Sequence, residues 1–119
     1  MFKIQTSFNP IRAVAGQTDP VILEIKVRNG FPETKLASIV VKVPFSLGFD
    51  KVGLFRDTRR QIGNMAPNAE KTIPIMLYPK VNIVPGEYKV EVKVFSHRER
   101  YDKMDEEFPL TAKLRVISR

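Results

Sequence analysis

Apolar and polar residues alternate along most of this chain with the period of a β-strand. In the segment 21–28, apolar side chains occupy every second position and charged side chains occupy most of the positions between them. The segment 87–94 repeats the alternation, and further candidate strands lie at 2–8, 39–45, 73–77 and 110–116, with a weaker one at 49–55. This periodicity predicts strands that turn one face to a core and the other to water.

Turn-forming residues separate these runs. They are Asn9-Pro10, Asp19-Pro20, Asn29-Gly30, Ala66-Pro67-Asn68 and Pro85-Gly86. About seven strands with turns between them, and no long helical pattern, predict an all-β fold in which two antiparallel sheets pack as a sandwich. We expect one domain over residues 1–119. Pro44 and Pro74 lie inside candidate strands, so those strands should be edge strands or bulged there.

The inward side of each run predicts the core. Its members are Val21, Leu23, Ile25, Val27, Ile39, Val41, Val43, Ile73, Ile75, Tyr88, Val90, Val92, Leu114 and Val116. Phe45 continues the inward side of the run at 39–45. The segment 56–60 is interpreted as a turn.

Several short motifs, in order along the chain, resemble those of immunoglobulin-like modules of the CARDB and NEW3 type. They are Val27-Arg28-Asn29, a strand ending at Pro44, the segment 62–68, the strand 71–77, and Pro85-Gly86-Glu87-Tyr88 leading into a strand. The resemblance runs from about Pro10 to Val116, although Asn68 stands where such modules more often have Gly. It implies an immunoglobulin-like sandwich and a structural Tyr88 whose hydroxyl bonds to nearby backbone.

Composition removes many kinds of chemistry. The chain has no Cys, no Trp and one His, so thiol catalysis, thiolate metal sites and any site with two His ligands are excluded. A hydrolytic triad would have to combine His97 with one of the serines at 7, 38, 46, 96 and 118, but none lies in a Gly-x-Ser-x-Gly motif. We interpret His97 as a solvated residue at a strand end, and we expect no enzyme, no cofactor and no catalytic residue.

The charge is distributed unevenly. The formal net charge is +7, and the densest basic stretch is 51–60, with four basic residues and one acidic residue. Residues 96–107 carry three basic and five acidic residues and are expected to form either a helical turn with i, i+4 ion pairs or a long charged hairpin. The acidic run 102–107 lacks the spaced ligands of a calcium loop, so we interpret it as solvated and expect no metal.

The sequence therefore favours a non-catalytic protein-interaction or accessory module. The alternative is nucleic-acid or polyanion binding through the basic loop. Candidate partner-binding residues, chosen for charge or aromatic character in the two charged connections, are Phe49, Lys51, Phe55, Arg56, Arg59, Arg60 and Tyr101. We expect a protein partner, whose identity the sequence does not give, and an anionic ligand as a further candidate. We also expect no membrane span, and a monomer or a weak edge-paired homodimer. If Met1 is the native start the protein is expected in the cytoplasm, and otherwise at the cell surface or outside it.

Overall fold

The structure is a computed structural model that describes all 119 residues, and it consists of nine strands in two sheets. The strands are β1 (Phe2–Asn9), β2 (Arg12–Val14), β3 (Val21–Asn29), β4 (Lys35–Lys42), β5 (Leu47–Gly48), β6 (Asp57–Met65), β7 (Glu70–Pro79), β8 (Gly86–His97) and β9 (Met104–Ile117). One sheet has the order β1-β3-β7-β5, and the other has the order β2-β9-β8-β4-β6. The all-β prediction is confirmed.

The strand count and one pairing differ from the prediction. There are nine strands rather than about seven, because β2 and β5 are short pieces of three and two residues. All pairs are antiparallel except β2, which lies parallel to β9. The structure has no helix with the length and apolar character needed to cross a membrane.

The region between β5 and β7 differs most from the prediction. Segment 49–55, a weak strand candidate, is a loop, and segment 56–60, interpreted as a turn, contains the start of β6. Strand β6 pairs only with β4, so it is an edge strand with mostly exposed or half-buried side chains. A strand that buries so few side chains carries no apolar alternation, which is why its sequence did not indicate it.

The two prolines have different positions. Pro74 lies within β7, and β5 pairs only with Tyr78 and Pro79, so β7 is an edge at Pro74 as predicted. Pro44 lies outside β4, which ends at Lys42 and is an interior strand between β8 and β6. The prediction of an edge strand or bulge at Pro44 is therefore wrong: the strand ends before the residue that would withhold a ladder donor.

The core lies between the sheets and agrees closely with the predicted set. Every predicted core residue is buried except Ile73 and Tyr88, which are half-buried and pack against it. Leu47, Met65 and Ile83 are also buried, although they lie beside turns or in the edge strand rather than in a clear alternation. Phe45 was predicted to point inward but is 71% exposed, because β4 ends before it.

Asn29, at the end of β3, joins three parts of the chain. Its side chain is fully buried, and Nδ2 donates hydrogen bonds to the carbonyl oxygens of Glu33 at 2.9 Å and Met65 at 2.8 Å. Its Oδ1 accepts a hydrogen bond from the backbone N–H of Phe31 at 2.9 Å. The N–H of Asn68 donates to the backbone oxygen of Asn29 at 2.8 Å. Through its side chain and its backbone together, Asn29 therefore links β3, the β3–β4 connection, the end of β6 and the β6–β7 turn.

The molecule is elongated, with extents of 48 × 24 × 18 Å. Strand β9 has 14 residues, and at a rise of about 3.3 Å per residue it accounts for nearly all of the long axis. The loops 43–46, 49–56 and 80–85 lie at one end, which we call the tip end. The opposite end holds the 98–103 hairpin loop and a cluster of edge-to-face rings formed by Phe2, Phe31 and Phe108.

Candidate binding surfaces

The structure divides the predicted contact residues among three places. Lys51, Phe55 and Arg56 lie in the loop 49–56 at the tip end. Arg59, Arg60 and Tyr101 border a groove on the outer face of the five-stranded sheet. Phe49 is half-buried and packs against the core, so it is not an open contact residue. The predicted basic loop is therefore not one surface.

The first surface is a group of exposed apolar side chains, which we call the apolar tip. Its six members are 67% to 85% exposed and come from the three tip-end loops: Phe45, Val52, Leu54, Phe55, Val81 and Val84. Sequence reasoning selected only Phe55 among them. The other five share one sequence feature, since each is an apolar residue next to Pro, Gly or Lys.

Direct contacts hold the three loops together. The N–H of Lys80 donates to the carbonyl oxygen of Ser46 at 3.0 Å. The ring of Phe45 lies 3.8 Å from Lys80 Nζ and 4.7 Å from the Arg56 guanidinium carbon. Such cation–π contacts are worth about 0.5–1 kcal/mol at exposed sites. The apolar side chains are therefore presented together with at least two cations.

The loop between β5 and β6 has an ordered turn of its own. The N–H of Gly53 donates to Asp50 Oδ1 at 2.7 Å, and Arg56 Nη1 donates to the Gly53 carbonyl oxygen at 2.9 Å. A Cβ on Gly48 would stand 2.7 Å from the Cα of Gly53, so this close approach requires glycine. The turn fixes the loop that displays Leu54 and Phe55, which lowers the entropy lost when a partner binds.

The second surface is a groove of about 770 Å³ on the outer face of the five-stranded sheet, which we call the sheet groove. Its floor follows the strand register. Val40 lies between Arg59 of β6 and Lys93 of β8, and in the next row Ser38 lies between Gln61 and Phe95. His97, Tyr101 and Met104 line the end of the groove nearer the 98–103 hairpin loop.

The sheet groove carries an excess of positive charge. Lys42, Arg59, Arg60 and Lys93 line it, together with one carboxylate, that of Glu107. Lys93 Nζ lies 3.6 Å from Glu107 Oε1. Lys42, Arg59 and Arg60 form no ion pair within 4 Å. Lys42 and Arg59 lie on the outer face of the sheet, whereas Arg60 pairs with the core residue Ile39 and points to the other face.

His97 is not the solvated residue that the sequence suggested. It is half-buried, and its Nε2 lies 2.6 Å from Ser38 Oγ. Burial lowers the pKa of His97 from its ordinary value by disfavouring the charged form, and the nearby backbone of Tyr101 opposes this shift. No well-formed hydrogen bond reaches the buried Nδ1. The ring is therefore favoured in its neutral form.

Ser38 is the one of the five serines that the fold brings to His97. A Ser–His contact is one part of a hydrolytic triad, in which a carboxylate on Nδ1 orients the ring. No carboxylate bonds to Nδ1 here. Ser96, in contrast, is buried, and its Oγ accepts a hydrogen bond from the Glu106 N–H at 3.1 Å, so it stabilises the β8–β9 hairpin.

The charged segment 96–107 forms the long hairpin rather than the helical turn, and the predicted i, i+4 ion pairs are absent. Asp105 instead bonds to Arg98 Nε at 3.1 Å, and Arg100 lies 3.3 Å from Asp102. A hairpin brings residues seven apart in sequence into contact across its arms, which a helix does not. No group of three acidic or His side chains converges as a metal site would require.

The molecule is thus an all-β chain of two sheets with two exposed candidate surfaces. The sequence matches no protein-family description and no curated protein. Solved structures with similar folds do exist. The bacterial hydrophobin BslA is 12% identical with a TM-score of 0.59, over 99% of this chain and 95% of BslA. The major fimbrial subunit MyfA of Yersinia enterocolitica, in self-complemented form, is 11% identical with a TM-score of 0.55, over 96% and 98%.

A third similar structure belongs to a larger protein. The alkylpurine DNA glycosylase AlkC of Pseudomonas fluorescens, bound to DNA containing an abasic site analogue, is 12% identical with a TM-score of 0.57. The match covers 97% of this chain and only 30% of the glycosylase, so this chain spans less than a third of that protein. Identities this low establish similarity of fold alone.

Proposed function

We propose that this chain is a non-catalytic, immunoglobulin-like sandwich module that binds a protein partner through the apolar tip. Six exposed apolar side chains on three adjoining loops carry the proposal. Single apolar residues are common on protein surfaces, but clusters of them mark interaction sites. The Tyr88 hydroxyl donates to the Val84 carbonyl oxygen, the backbone bond that the resemblance to immunoglobulin-like modules implies.

The charge around the apolar tip favours a particular kind of partner. Lys51, Arg56 and Lys80 lie in the same loops, and the one carboxylate among them, Asp50, is engaged by the Gly53 N–H. Loops at the end of a sandwich project outward, so they fit a concave site. The partner we propose has an apolar groove edged by carboxylates, which would steer association and set orientation.

Leu54→Asp tests this proposal because Leu54 is 75% exposed and loses little by becoming polar in the free protein. A photo-reactive residue at Val81 would first capture and identify the partner, and the purified partner would then be titrated by calorimetry. We expect the dissociation constant to rise about 30-fold or more, as for a central interface residue worth about 2 kcal/mol. The thermal midpoint should change little.

Met104→Asp is the matched control, since Met104 is also an exposed apolar residue but lies at the start of β9, beside the 98–103 hairpin loop at the opposite end of the molecule. It should leave the affinity unchanged. Equal loss of affinity in both variants, or none in Leu54→Asp, would contradict the proposal. Sedimentation with vesicles containing phosphatidylserine, without any captured protein, would assign the tip to a lipid surface and overturn the protein partner.

A further inference from the structure

We propose that the sheet groove binds a nucleotide unit, with its phosphate on the cations and its base against the aromatic rings. This goes beyond the partner contact at the apolar tip, because it concerns another face and rests on other residues. The groove brings three basic side chains of the outer sheet face, Lys42, Arg59 and Lys93, together with three rings. Positive grooves with aromatic side chains are how proteins hold single strands without reading their sequence.

The cations are placed by the strand register. Arg59 and Lys93 lie on either side of Val40 in one row across β6, β4 and β8, so their backbones are about 10 Å apart. Val40, which is only 8% exposed, gives an apolar floor between them. An anion lying over Val40 would therefore face a cation from each side.

Other charges near this row decide which cations count. Lys42 lies opposite Asp57 on β6 and Glu91 on β8, so neighbouring carboxylates partly offset it. Lys93 is partly offset by Glu107. Arg59 has no ion-pair partner, whereas Arg60 pairs with the core residue Ile39 and leaves β6 on the other side of the sheet. Three cations, of which Arg59 is the least offset, are thus placed to meet phosphate oxygens.

The rings lie one row further along the groove. Phe95 follows Lys93 by two positions, about 7 Å along the same face of β8. The centroids of Phe95 and His97 are 6.4 Å apart, and those of His97 and Tyr101 are 5.2 Å apart. Because burial favours the neutral form of His97, its ring adds to the aromatic surface of Phe95 and Tyr101 and does not add another cation at neutral pH. A planar base fits this end, and its phosphate fits the Arg59–Lys93 row.

The test is fluorescence anisotropy with a labelled oligo(dT) strand of about 12 nucleotides, a length suited to a groove of this kind. With three phosphates engaged, the slope of log affinity against log salt should be about −2. In the double variant Arg59→Gln, Lys93→Gln the slope should become shallower, about −0.7. In Phe95→Leu the affinity should drop about 5-fold to 150-fold while the slope stays near −2, because a stacking surface is lost and no charge.

Lys89→Gln, Lys113→Gln is the matched control. These two exposed lysines lie opposite each other on β8 and β9, outside the groove. Replacing both removes the same amount of positive charge as the Arg59→Gln, Lys93→Gln variant. This variant should bind like the wild type. Thermal unfolding of every variant establishes that each is folded before binding is compared.

Competition identifies the source of the nucleotide. Displacement by thymidine monophosphate at equal nucleotide concentration indicates a free nucleotide, and displacement only by the oligomer indicates a single strand; either supports the assignment. Inorganic polyphosphate competing as well as the oligomer would overturn the role of the rings. Absence of binding at low salt, or equal weakening by the Lys89 and Lys113 control, would overturn the site.

Discussion

Replacing Asn29 with aspartate exchanges two buried donors for an acceptor while the side-chain shape is kept. Nδ2 of Asn29 donates to the carbonyl oxygens of Met65 at 2.8 Å and Glu33 at 2.9 Å, and the residue is 0% exposed. In Asn29→Asp, a carboxylate oxygen would stand where the NH₂ group now lies. It would face two carbonyl oxygens that have lost their donor.

The size of the effect follows from this count. A buried acceptor left without its donor costs about 1–3 kcal/mol. This cost applies to the Met65 carbonyl oxygen, whereas the bond to the Glu33 carbonyl oxygen is only part-buried and its loss costs less. An ionised carboxylate adds a desolvation cost, and burial raises the pKa of such a group. We therefore expect the free energy of unfolding to fall by at least about 3 kcal/mol at neutral pH, a large part of the ~5–15 kcal/mol of a typical domain.

The pH dependence has a definite sign. In the variant, the pKa of the introduced aspartate is raised in the folded chain above its unfolded value of about 3.9. Between these two pKa values the unfolded chain holds fewer protons than the folded chain, so the free energy of unfolding falls further as pH rises. Part of the lost stability is therefore recovered near pH 4. Urea unfolding followed by circular dichroism at both pH values measures this. Asn82→Asp, in an exposed part of the loop 80–85, is the control. A loss below about 1 kcal/mol in Asn29→Asp, or one equal to the control, would refute the role of the buried amide.

Two further predictions concern single residues. Asn68 has a φ of 65°, so Asn68→Ala should lower the free energy of unfolding by about 1 kcal/mol, whereas Asn68→Gly should be nearly neutral. Equal urea midpoints for the two variants would contradict this. Burial lowers the pKa of His97 in the folded chain. Below the ordinary histidine pKa of about 6.5 the unfolded chain therefore binds more protons than the folded chain, and stability should fall as pH decreases from about 7 to about 5. His97→Gln should flatten that part of the thermal-midpoint profile, and parallel profiles would exclude the effect.

Strands that bury one face could be predicted from the sequence, and the edge strand could not. In β3 and β8, burial of every second residue leaves an alternation in the sequence, and the predicted bounds agree within one residue for β3 and within three residues for β8. In β6 only Met65 is buried, so nothing in the chemistry of 57–64 separates a strand from a loop. The basic residues there were consequently assigned to a turn, and the predicted basic loop combined two different surfaces.

The candidate surfaces were predicted in composition more than in place. Arg59, Arg60 and Tyr101 were selected for charge and aromatic character, and all three border the sheet groove, although Arg60 points to the other face of β6. Lys93 and Phe95 were not selected, because a residue on a wet strand face looks the same whether or not its cross-strand neighbours form a site. That information lies in the register between β4, β6 and β8, which one sequence does not contain.

The elongated shape has a mechanical consequence. The carbonyl oxygen of Met1 accepts a hydrogen bond from Gly30 at the end opposite the tip, while β9 ends at Ile117 on the tip end. A pull between the N-terminus and the tip end runs along the strands. It would load the eight registered pairs between β1 and β3 in shear, so that they resist together instead of unzipping in turn. A chain tethered by its N-terminus and held at its apolar tip would thus be loaded along its strands, the direction in which the β1–β3 hydrogen bonds resist force together.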